Sequence, residues 1–116
     1  MRLSVLSSSL LFAIACGSDK TPTSTTGSNK SYDVFTLSSA FSPSFLQIKA
    51  GDTIVFHITP GPLNDGHDVT FDATPGAPAN IKVTLNGDIS RVFNTRGSFH
   101  YNCFVHPGMI GDVQVQ

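Results

Sequence analysis

The chain has 116 residues, a formal net charge of −1 and 13% charged residues. That is room for one domain with one core, and it excludes the concentrated basic face that a nucleic-acid binder needs. There is no Glu and no Trp, and Lys and Arg together number seven; good helix formers are scarce while Val, Ile, Thr and Phe are plentiful, so the composition points to an all-β domain with Gly/Pro turns.

Residues 1–15 read as an export signal of the lipoprotein type. Arg2 supplies a minimal positive region, Leu3 to Ile14 an apolar and Ser-rich one, and Ala13-Ile14-Ala15-Cys16 a small-residue processing site. The apolar stretch is too short to span a bilayer as a mature helix. Cys16 directly after Ala15 resembles a bacterial lipobox, in which the Cys carries the lipid, although Ala13 stands where that pattern usually has Leu. The expectation is an exported, periplasmic or cell-envelope protein, anchored to a bacterial membrane through Cys16. Residues 16–31 are polar, rich in Ser and Thr and without apolar period; such a segment buries too little surface to fold and reads as a flexible tether. With Cys16 modified, Cys103 is alone in an oxidising compartment, where a free thiol is a liability unless something such as a metal occupies it.

Residues 32–116 form the domain. The pattern has period two, with turn residues every eight to twelve positions or so. Tyr32–Leu37 is a first strand, followed by a Ser/Pro loop through Ser44. Phe45–Lys49 is a second strand, ended by Ala50-Gly51-Asp52. Thr53–Thr59 puts Ile54, Phe56 and Ile58 on one face and His57 on the other. Pro60 to Gly66 is a loop, and His67–Asp72 the next strand. Ala73–Ala79 is a second Pro/Gly-rich loop. Ile81–Leu85 and Asp88–Asn94 flank Asn86-Gly87, a dipeptide that predicts a tight hairpin. Ser98–Cys103 aligns Phe99, Tyr101 and Cys103 on one face, and Ile110–Val115 closes the sheet. The sum is a sandwich of about seven or eight short strands.

The chemistry sits in Cys103-Phe-Val-His106-Pro-Gly-Met109, with His67 upstream in Gly66-His67-Asp68. One thiolate, two imidazoles and one thioether suit copper cycling between Cu(I) and Cu(II): the sulfur donors are soft and favour Cu(I), and the imidazoles satisfy Cu(II) as well. A structural zinc site would more naturally use further Cys or His in place of the thioether. Cys103 ends a strand whose neighbours His100 and Asn102 point to the opposite face, so its sulfur points inward. Pro107 and Gly108 allow the sharp return that brings His106 and Met109 to the same point. His67 enters from a distant stretch, so the scaffold, not one loop, holds the site.

Gly51-Asp52-Thr53 before an aromatic strand, His67-Asp-Val, and Tyr101-Asn-Cys103-x-x-His106-Pro-x-Met109 together resemble the cupredoxins, the plastocyanin-like blue-copper proteins. The ligand loop is closest to that of amicyanin. The resemblance covers nearly all of residues 32–116 and implies a Greek-key β-sandwich. It implies His67, Cys103 and His106 as trigonal ligands of one type 1 copper ion, each His binding through Nδ1, and Met109 as the weak axial ligand. It also implies that His106 exposes its edge to solvent as the electron's route. Two positions depart from or vary within the family: Asp68 stands where many relatives have Asn, and Gly66 precedes His67 as in azurin, where its carbonyl could approach copper opposite Met109.

The resulting expectation is a monomeric one-electron carrier, not an enzyme, serving a redox donor and acceptor that dock transiently near His106. The alternative is a copper-binding module for storage, delivery or sensing, which would favour an open site richer in Met or His. Cys103 and His106 as a nucleophile–base pair is a third reading, disfavoured because the pair lies three residues apart at a strand end. Pro60, Pro62, Leu63, Pro107 and Gly108 are expected to surround the edge of His106 as a small apolar docking patch. His57 and His100 are expected to face outward, without a role.

Overall fold

The alternation along the chain becomes the layering of the molecule. The computed structural model describes residues 29–116; the export segment, Cys16 and tether residues 16–28 lie outside them. Among the described residues there are nine strands and no helix. One sheet contains β1 (Ser31–Leu37), β2 (Ala40–Ser42), β4 (Asp52–Ile58) and β7 (Gly87–Phe93), the other β3 (Phe45–Ile48), β5 (His67–Phe71), β6 (Ile81–Thr84), β8 (Gly97–Asn102) and β9 (Ile110–Val115). Their orders are β2-β1-β4-β7 and β3-β9-β8-β5-β6. Both sheets are mixed: β1 runs parallel to β4 and β3 parallel to β9, while all other neighbours are antiparallel.

The strands carry apolar residues at alternate positions because successive side chains point to opposite faces. In β4, Ile54, Phe56 and Ile58 are buried while Thr53, Val55 and His57 lie on the outer face. In β8, Phe99 and Tyr101 are buried between the sheets. Tyr101 is the hub, meeting Phe41, Phe56 and Phe71 with ring centroids 4.9, 5.6 and 5.5 Å apart. Its cross-strand partner is Gly111, where an added Cβ would come within 2.2 Å of the ring. The ring therefore lies over bare β9 backbone, and no residue larger than glycine fits there without moving it.

One end of the sandwich is closed by Asp52. Its carboxylate is buried and accepts the backbone N–H groups of Lys30 and Lys49, each at 2.8 Å, and these bonds hold it below the usual carboxylate range. Asn29 packs beside Gly51, which takes a positive φ of 96° in the turn before β4. The chain thus enters the domain at the start of β4, and the loop leaving the other end of that strand leads to His67.

Two expectations are corrected. The segment assigned to a Ser/Pro loop contains β2, a three-residue edge strand paired with the end of β1 through Phe35–Ser42 and Leu37–Ala40. Its only buried side chain is Phe41, so a single inward residue gave no period to read. The Asn86-Gly87 turn does not join a hairpin. β6 pairs with β5 in one sheet and β7 pairs with β4 in the other, so the dipeptide turns the chain from sheet to sheet. A compact Asn-Gly turn reverses the chain equally well in either setting; the seven-residue register of β7 against β4 decides which.

Candidate metal centre

At the other end of the sandwich β5 and β8 splay apart. They are paired only through Thr70–Asn102 and Phe71–Tyr101, so His67 at the start of β5 and Cys103 just after β8 lie side by side beyond the ladder. Asp68 bridges the gap. Its Oδ1 accepts the N–H groups of Phe104 (2.8 Å) and Val105 (3.3 Å), and its Oδ2 accepts the Thr70 hydroxyl at 2.8 Å. A buried carboxylate supplied with three donors is a stable tie, and it substitutes for the missing backbone pairs.

The return loop is built by its own backbone. The Cys103 N–H donates to the Met109 carbonyl at 2.9 Å, and the Met109 N–H donates to the His106 carbonyl at 3.1 Å. Gly108 makes the return at φ +86°, a conformation that favours glycine. Cys103, His106 and Met109 are all buried as a result, and His67 is fully buried.

The expected ligand residues come together. His67, Cys103 and His106 place their ligand atoms within 4.8 Å of one another, a group that could hold a metal ion. Cys103 Sγ lies 3.9 Å from His67 Nδ1 and 3.7 Å from His106 Nδ1. A single ion bonded to nitrogen at roughly 2.0 Å and to sulfur at roughly 2.3 Å, with angles of about 120°, puts N and S roughly 3.7 Å apart. Both N···S separations therefore match those of a site built from two imidazole nitrogens and one sulfur. Met109 lies close to these three, as the spacing required.

The electrostatics agree. Burial pushes the Cys103 thiol up from its ordinary value. Burial, and then the charge of His106, push the His67 imidazole down. His67 Nε2 is buried without a hydrogen-bond partner. Packing thus favours a neutral thiol and a neutral imidazole; a cation between them would make the thiolate favourable and use the neutral imidazole as it is.

One expectation fails. His106 does not expose its edge: the residue is 9% exposed. The loop after β4 folds over it, with Asp65 Oδ2 3.1 Å from His106 Nε2. At Gly61 an added Cβ would fall 2.9 Å from both Nε2 and Cε1 of His106, so main chain covers the ring. Pro60, Pro62, Leu63, Pro107 and Gly108 are exposed, but the imidazole they were expected to surround is covered by Gly61 and Asp65. Asp65 was not singled out in the sequence; it reaches His106 across 41 positions, and only the loop's fold brings them together. Gly66 lies against β6, where a Cβ would meet the Thr84 carbonyl at 2.7 Å.

The remaining histidines face outward but are not merely solvated. His57 lies 2.7 Å from both Asp33 and Asp88, and His100 lies 2.8 Å from Asp112. Neither belongs to the ligand group.

No family model matches the chain and no curated protein does. Solved structures do. A pseudoazurin from Methylobacterium extorquens is 28% identical with a TM-score of 0.58, covering 73% of this chain and 74% of its own. A reduced amicyanin variant is 26% identical with a TM-score of 0.61, covering 74% and 82%. A plastocyanin from Dryopteris crassirhizoma, in its oxidized form, is 21% identical with a TM-score of 0.61, covering 73% and 100%. All three are cupredoxins, electron-transfer proteins rather than enzymes, and this chain shares their Greek-key β-sandwich. Its His-Cys-His-Met cluster matches a blue-copper site.

Proposed function

We propose that this cupredoxin-fold protein is a type 1 copper protein carrying one electron at a time between redox partners outside the cytoplasm. One observation carries the reading: a buried thiol and two imidazole Nδ1 atoms from separate segments converge at trigonal metal spacing, with a thioether beside them. Copper bound there would supply a reversible one-electron change between Cu(I) and Cu(II). Cys103 would bind as thiolate, His67 and His106 through Nδ1, and Met109 as the weak axial donor. The chain's own part is rigidity. Asp68 ties β5 to the ligand loop, two backbone hydrogen bonds close that loop, and the aromatic hub lies beneath it. A site held this firmly changes little when the ion changes charge.

The surroundings support a carrier. Leu63 is 85% exposed on the loop over His106, and Phe104 is 71% exposed next to Cys103. Isolated apolar side chains of this kind suit brief, weak docking of a redox partner to a monomer. Arg2, the apolar stretch after it and Ala15-Cys16 support export and a lipid anchor at Cys16.

Adding Cu(II) to the metal-free protein separates the two copper readings. A carrier takes up one equivalent and turns intensely blue from thiolate-to-copper charge transfer, and Cys103→Ser abolishes the colour. Tight binding of Cu(I) with no colour from Cu(II) would instead establish storage, delivery or sensing.

A further inference from the structure

The loop over His106 is built to present a carboxylate. The Gly61 N–H donates to the Asp65 carbonyl at 2.8 Å and the Asn64 N–H to the Gly61 carbonyl at 3.0 Å, so residues 61–65 close on themselves as a tight turn, with Asn64 at φ +56°. An added Cβ at Gly61 would meet Asp65 Oδ1 at 2.3 Å and the His106 ring at 2.9 Å, so glycine at this position is what lets carboxylate, backbone and imidazole stack. The arrangement is not explained by stability. Asp65 Oδ1 is buried without a hydrogen-bond partner, which costs free energy that a smaller residue would avoid.

A carboxylate accepts and does not donate, so the Oδ2 contact at 3.1 Å requires the proton of a neutral His106 to sit on Nε2. That leaves the lone pair on Nδ1, the nitrogen 3.7 Å from Cys103 Sγ. We propose that Asp65 is a positioning residue of the metal centre: it accepts the Nε2–H of His106, fixes the tautomer whose bare Nδ1 faces the ligand group, and with Gly61 closes that edge of the ring to water. This inference deepens the copper reading and rests on it for its purpose. The hydrogen bond itself belongs to the metal-free fold. An outer carboxylate also makes the imidazole a stronger donor and adds negative charge near the ion, which favours Cu(II).

Nitrogen-15 NMR of the histidine rings in the metal-free protein tests it, at about pH 8, where an ordinary imidazole of pKa ~6.5 is neutral. The wild type is expected to show His106 as a single Nε2–H tautomer with a slowly exchanging ring proton. Asp65→Asn, which keeps an acceptor oxygen, is expected to retain both features. Asp65→Ala is expected to give a mixture of tautomers and ring-proton exchange about tenfold faster, as follows from losing the acceptor of the Nε2–H bond. An Asp65→Ala protein that keeps the single tautomer and the slow proton overturns the proposal. Failure of the wild type to colour with Cu(II) would overturn the electron-carrier reading alone, since the NMR result needs no metal.

Discussion

At the scale of single residues, Asp68 is where this site should differ in its electronics from one built with Asn. Its Oδ1 takes two backbone N–H groups of the ligand loop, and its Oδ2 takes the Thr70 hydroxyl. An Asn can keep the first set through its own oxygen and meet Thr70 by letting that hydroxyl accept, so the loop tie survives substitution. What is removed is a negative charge beside the ion, and that charge stabilises the more positive Cu(II). Asp68→Asn is therefore expected to raise the reduction potential with the blue spectrum retained; voltammetry showing a potential unchanged or lowered would refute this. The four residues of the candidate centre were legible because their evidence is local: Cys103, His106 and Met109 share one loop, strand parity aims the sulfur inward, and His67 opens a strand. Asp65 was not legible, because its partner is set by a loop crossing from one sheet over the end of the other.

Among the elements, β4 holds the first sheet together, and its outer face carries an unusual clasp. His57 sits between Asp33 on β1 and Asp88 on β7, 2.7 Å from each, and stacks on Phe35 with centroids 4.6 Å apart. Hydrogen bonds to Asp33 and then Asp88 raise the imidazole above its ordinary value of 6.5. A pKa raised on folding contributes stability that is fully present below the unfolded value and is lost as pH rises through the folded one. The stability difference between wild type and His57→Gln is thus expected to be larger near pH 6 than near pH 9, both pH values lying where Asp is ionised (pKa ~3.9). Urea melts of the metal-free proteins check this, and an equal difference at both pH values would remove the clasp from the account. His57's outward direction followed from its place between Phe56 and Ile58; its two carboxylate partners did not, because they lie 24 and 31 positions away on strands whose register a single sequence does not reveal. The same lack of register explains the misread turn at Asn86-Gly87, whereas β2 was overlooked because its one inward residue, Phe41, gives no period.

For the whole molecule, the covered imidazole bears on where the proposed redox partners would dock. Large exposed apolar side chains at this end include Leu63 on the capping loop and Phe104 beside the sulfur, so under the proposed carrier role a partner would dock across an apolar rim and not by direct contact with His106. Two copies meeting through this rim would bring like charges together if Leu63 were made acidic, and such contacts are strongly disfavoured. Electron self-exchange between the Cu(I) and Cu(II) forms, read from NMR line broadening, is expected to slow on the order of tenfold in Leu63→Asp at low salt, each 1.4 kcal/mol of repulsion being tenfold. The spectrum should not change, and the rate should recover as salt is added. An unaltered rate would place the meeting surface elsewhere.

The position of Asn29 and Lys30 bears on how such a molecule can be mounted. They join the sandwich at Gly51 and Asp52, the pole opposite the sulfur and imidazoles. Anything fastened through the leading segment, whether an acyl chain, an engineered tag or an electrode, therefore meets the domain at the pole away from the thiol and imidazoles and leaves their end uncovered.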